Sequence, residues 1–145
     1  MTDLLQVVQE CGFLRLREDG RVVTRVYDRF TQASGLKPTQ FSLLVAASLI
    51  DRANVNQLAE IMAMERTTLT RNLRPLEKKG LIKVMAGEDR RTRLVIVTDA
   101  GRNAVKRALP LWKEAQGYMA KSLGAARWCM LREALDVTTR VKMPR

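Results

Sequence analysis

Two groups of residues in this chain have the types and spacing to do chemistry on a polyanion. The first is Arg66, Thr67, Thr68, Thr70, Arg71 and Arg74. On a helix, at about 100° per residue, Leu69, Leu73 and Leu76 share one side. Thr67, Arg71, Arg74 and Lys78 gather opposite, with Thr68 and Thr70 at the edges. An arginine can bond both guanine acceptors of a major groove, and a threonine can meet a phosphate or a thymine methyl. The second group is Asp89, Arg90, Arg91 and Arg93, in a polar stretch where three arginines fall within four residues. Either group alone could be mere solvated surface. The flanking sequence settles which.

Composition agrees with a polyanionic partner. The 145 residues carry 26 Lys+Arg against 15 Asp+Glu, a formal net charge of +11. That surplus favours nucleic acid over an acidic membrane surface. The length suits one domain with a core of its own. Histidine is absent, which removes the commonest general base and metal ligand. Cys11 and Cys129 form neither a disulfide framework nor a zinc spacing. No signal peptide is visible, and the nearly apolar run from Phe41 to Ile50 is too short to span a bilayer. The expectation is a cytoplasmic protein that is not an enzyme and needs no metal or cofactor.

The elements that must position the two groups can be read in order. Apolar residues from Leu4 to Phe30 recur at three- and four-residue steps, predicting a long helix over 3–33 with a bend or break near Gly20. Its broad apolar surface points to dimerisation. Ser34 to Lys37 is a turn, Pro38 opens a second helix, and the run Phe41 to Ile50 makes that helix central and buried. Asn54 and Gln57 form a capping box for a short third helix ending near Met62. The arginine–threonine helix follows after two residues, which is the helix-turn-helix pattern. Pro75 predicts a kink after Arg74, so base contacts should fall on the Arg66 to Arg74 side, and Gly80 is the natural C-terminal cap. Leu81–Met85 and Leu94–Thr98 read as two strands of a hairpin with the arginine-rich tip between them. Thr98 caps a long fifth helix that Pro110 should bend, and a sixth helix follows Gly124. Cys129 reads as core packing within that last helix.

This order resembles the MarR family of bacterial transcriptional regulators. The residues carrying the likeness are Leu58-Ala59, Thr67 to Leu73, Leu76 to Ile82, Asp89-Arg90-Arg91, Leu94 to Thr98 and Gly101-Arg102. The resemblance implies a mainly α fold, α+β by its wing: a winged helix-turn-helix over 36–101, with 1–35 and 102–145 forming dimerisation helices of one 1–145 domain. It implies a homodimer on double-stranded DNA, with the fourth helix in the major groove and the wing in the adjacent minor groove. Arg91 would be the wing-tip residue in the minor groove, with Asp89 holding its guanidinium, while Arg90 and Arg93 meet phosphates. Dimer symmetry then implies a near-palindromic operator, and repression is the family default. Glu65 stands where the family often has a Ser or Asp cap, so the start of the fourth helix is poorly capped.

The same resemblance implies a small-molecule effector, often an aromatic acid or phenol, held between the dimerisation helices and the winged helix. Cys11, Arg15, Phe41, Leu44 and Trp112 could build that pocket, with Arg15 fixing a carboxylate. The alternative is a redox sensor switched by oxidation of Cys11, against the blander reading of a small buried cysteine. RNA or anionic lipid would need no wing, and no aromatic stacking platform is apparent.

Overall fold

The computed structural model describes residues 2–89 and 91–142. Among the described residues, seven helices and three strands follow one another as α1 (Thr2–Glu10), α2 (Gly12–Thr31), a 3-10 turn (Gln32–Ser34), α3 (Pro38–Leu49), β1 (Ala53–Asn54), α4 (Val55–Ile61), α5 (Arg66–Lys78), β2 (Ile82–Ala86), β3 (Arg93–Val97), α6 (Asp99–Leu123) and α7 (Ala125–Thr138). The architecture is the expected mainly helical winged helix-turn-helix between terminal helices. The core lies where α3, α4 and α5 meet the sheet, and Leu43, Leu44, Leu58, Leu69, Leu76 and Val95 are all but inaccessible there.

The first helix breaks at Cys11 and not at Gly20. Cys11 takes an extended ψ of 104°, immediately before the flexible Gly12. Gly20 stays inside α2, where the Thr24 hydroxyl donates to its carbonyl at 2.6 Å. An exposed glycine costs a helix only about 1 kcal/mol, which the flanking turns can bear. α3 begins at Pro38, and the Gln40 side chain accepts from the Lys37 amide. It buries Phe41, Leu43, Leu44, Ala46 and Ala47, but Leu49 at its end is 81% exposed, so it is not covered all round.

The sheet has a third strand the sequence did not announce. Ala53 and Asn54 pair with Val95 and Leu94, giving the order β1-β3-β2. Two residues are too few to show a period of two, so only the tertiary pairing reveals them. β2 and β3 pair antiparallel from Ile82↔Val97 to Ala86↔Arg93, one residue off the expected bounds of β2 and of β3. α5 runs through Pro75 to Lys78 without stopping, and Gly80 closes it at a positive φ of 68°. α7 buries no side chain within the protomer, and Cys129 on it is exposed, its thiol donating to Glu133. The expectation of core packing for Cys129 therefore fails within one chain, because α7 packs mainly along α6.

Candidate nucleic-acid interface

Asn54 accepts from the Gln57 amide at 2.8 Å, and the Gln57 side chain accepts from the Asn54 amide at 3.1 Å, so the predicted capping box forms and fixes the start of α4. The turn into α5 is made by Ala63, which takes a left-handed φ of 48°. Its neighbours return to α4 through Ala63 N to Glu60 O and Met64 N to Ala59 O. Glu65 then precedes α5 without a side-chain cap, as the sequence implied.

On α5, Leu69, Leu73 and Leu76 are buried, and their anchoring turns the rest of the helix outward. Thr67 and Arg71 point directly away from the core and are exposed. Thr68 and Asn72 lie on the flank toward the turn, where the Asn72 amide reaches the Met64 sulfur at 3.7 Å. The opposite flank faces the wing. Arg66, Thr70, Arg74 and Glu77 line a cleft of about 260 Å³ there, together with Val84 of β2 and Arg93 of β3. The Thr70 hydroxyl donates back to the Arg66 carbonyl at 2.8 Å, which leaves its methyl as the outward contact.

At the wing, the Gly87 amide donates to the Thr92 carbonyl, and the Thr92 amide to the Asp89 carbonyl, both at 2.8 Å. Asp89 Oδ1 accepts from the backbone amide of Arg91 at 3.0 Å. The Asp89 carboxylate therefore braces the turn, and among the described residues no ion pair joins it to the Arg91 guanidinium. A carboxylate two residues before an amide closes this local ring more readily than it reaches a long side chain. Arg90 lies outside the described residues. Among them, Arg66, Arg71, Arg74, Arg91 and Arg93 form no ion pair, so a surface of unpaired guanidinium groups spans α5 and the wing. Unpaired cations on one face are what a phosphate backbone requires.

The residues expected to hold an effector are only partly brought together. Phe41 and Trp112 meet with ring centroids 6.3 Å apart. They stand between a hollow of about 180 Å³ bounded by Val23, Tyr27, Thr31 and Pro38, and a groove of about 340 Å³ bounded by Val45, Leu49 and Ile61. Leu44 is in the core and lines neither space. Cys11 and Arg15 also line neither, and Arg15 pairs in solvent with Glu18 at 3.9 Å. Arg15 precedes Val23 by eight residues, roughly 12 Å along the axis at 1.5 Å each. Sequence reading placed Tyr27 in the apolar stripe but did not assign it or Thr31 to this space; their four-residue spacing was the available signal. Burial pushes the Tyr27 hydroxyl above the ordinary tyrosine range, with Arg132 pulling the other way.

Among the described residues no cluster could hold a metal ion, and no helix is long and apolar enough to cross a membrane.

Comparison with known proteins completes the picture. Residues 36–92 match the model of the MarR family. The M. tuberculosis transcriptional regulator MosR, in a crystal structure with DNA, is 36% identical with a TM-score of 0.75, covering 91% of this chain and all of that one. CouR from Rhodococcus jostii RHA1, bound to p-coumaroyl-CoA, shares the fold at a TM-score of 0.78 with 19% identity, covering 97% of this chain and 99% of that one. The HTH-type transcriptional regulator YwoH of Bacillus subtilis is 25% identical over 84 residues, which are 58% of this chain and 61% of that protein. With a recognition helix and wing that carry the family's residues, and a DNA-bound regulator matched over its whole length, this chain belongs to the MarR family of DNA-binding transcriptional regulators.

Proposed function

We propose that the protein is a cytoplasmic repressor that binds a near-palindromic operator as a homodimer and leaves it when a small aromatic molecule binds. The observation that carries the DNA half is the row of unpaired arginines running from α5 onto the wing. Thr67 and Arg71 face the floor of the major groove, and Thr68 lies at its edge. Arg66, Thr70, Arg74 and Arg93 flank the wing, and Arg91 enters the minor groove. Arg90, by the family motif, is assigned to phosphate. The apolar faces of α1, α2 and α7 support a second copy. Leu4, Phe13, Met130 and Val137 are each about 60% exposed or more on these helices, an apolar surface that a monomer would not keep in water. The test is an electrophoretic shift with a duplex that the purified protein selects from a random pool. Tight binding as a dimer to a sequence with half-sites about one helical turn apart supports the reading. Equal affinity for a scrambled duplex sinks it.

The effector site in this reading is the paired space around Phe41 and Trp112. The larger groove falls within the roughly 300–1,000 Å³ of small-ligand sites. Trp112 offers a ring face, and Tyr27 and Ser42 offer hydroxyls nearby. That CouR binds p-coumaroyl-CoA on the same fold makes aromatic acids and phenols the first compounds to screen. Stabilisation by such a compound, with loss of DNA binding, is expected, and Trp112→Ala should abolish both. The second reading is oxidation of Cys11. It is favoured by one observation: this free, half-buried thiol is the residue at which α1 and α2 break. If Cys11→Ser retains full peroxide-triggered release from DNA, that reading fails.

A further inference from the structure

Between a helix in the major groove and a wing in the adjacent minor groove, one sugar-phosphate strand must pass, because that strand is the wall dividing the two grooves. In this chain the space for it is the cleft between α5 and the base of the wing. Arg66, Arg74 and Arg93 line that cleft, as phosphate contacts should. Glu77 lines it too, and a carboxylate is the one group a phosphate strand should not meet. Glu77 is exposed and forms no ion pair with any described residue, so it is not there to fasten one of the arginines.

We propose that Glu77 is an affinity-setting residue of the DNA interface, whose carboxylate repels the phosphate strand in the cleft and holds backbone binding below its maximum. The inference rests on the two-groove reading above. Like-charge repulsion acts on every sequence alike, so it lowers operator and random affinity together and leaves the preference between them to Thr67 and Arg71. Such a brake has a use in a releasable regulator. An effector coupled to DNA binding typically shifts affinity by about 5- to 150-fold, which empties a site only when backbone affinity leaves it within reach. Removing the brake should make the complex tighter and harder to release.

The experiment compares wild type, Glu77→Gln and Glu114→Gln on two duplexes of equal length, one selected by the wild-type protein and one scrambled. Glu114 is an exposed acid on α6 outside the cleft, and its replacement changes net charge by the same unit. Glu77→Gln should bind both duplexes about three- to tenfold tighter at low salt, with the gain shrinking as salt screens the charge. Glu114→Gln should bind as wild type does. Unchanged or weaker binding by Glu77→Gln, with or without a lowered melting temperature, overturns the proposal. So does a gain on one duplex only, which would make Glu77 a base reader, or an equal gain from Glu114→Gln. A wild-type protein with no preference between the duplexes would instead sink the two-groove reading itself.

Discussion

The Thr98 hydroxyl donates to the carbonyl of Gly80 at 2.7 Å while accepting from the amide of Gly101 at 3.1 Å. One side chain thus caps α6 and satisfies the Gly80 carbonyl just after α5. The backbone repeats the tie, since Thr98 N donates to Leu81 O at 3.0 Å. Arg102 adds a bond to the Val97 carbonyl at 2.8 Å and pairs with Asp99. The end of α5, the root of the wing and the start of the long α6 are therefore tied together at one joint.

Thr98→Val keeps the shape and removes both hydroxyl bonds. Losing a helix cap costs about 0.5–2 kcal/mol, and thermal denaturation should show a lowered melting temperature. Thr98→Ser should restore it. A Thr98→Val protein melting as wild type does would show that the backbone tie alone holds the joint.

Gly101→Ala tests the closest approach made at any glycine. A Cβ there would fall on the Leu81 carbonyl oxygen and within 2.8 Å of Val97 Cγ1. Backbone cannot step aside as a flexible side chain can, so overpacking of about 1–3 kcal/mol or more is expected. Chemical denaturation should show a lower midpoint than wild type, and DNA affinity should fall with the fraction folded.

Ala63→Gly should stabilise. Ala63 sits at a φ of 48° in the turn of the helix-turn-helix, a conformation that costs a residue with a Cβ about 1–2 kcal/mol and glycine much less. Part of that gain is lost to the greater freedom of glycine in the unfolded chain. A rise of a few degrees in melting temperature, with unchanged operator preference, is the expected result.

Arg71→Ala and Arg93→Ala should fail differently on DNA. Arg71 points outward from α5, so its loss should cost about 1–3 kcal/mol on the operator and little on random duplex. Arg93 lines the cleft proposed for the phosphate strand, so its loss should weaken both duplexes alike. It should also reduce the salt slope by about 0.9. Binding curves across a salt series separate the two. An equal loss on both duplexes for Arg71→Ala would place that residue on the backbone.

The sequence by itself determined the local elements and the winged helix-turn-helix they compose. Capping chemistry is short-range, so Asn54 with Gln57, Pro38, Gly80 and Thr98 marked their helix ends correctly. Periodicity is likewise local, and the leucines of α5 named both the buried side and, by subtraction, the exposed side. Only the tertiary structure could place residues distant in the chain against one another. It paired two-residue β1 with β3, moved Asp89 from a guanidinium to a backbone amide, and brought Glu77 and Arg93 to one cleft. It also separated Cys11 and Arg15 from Phe41 and Trp112, because a helix of fixed rise carries its early residues away from the pocket its later ones line. Position along a helix is written in the sequence, whereas what stands opposite that position is set by packing.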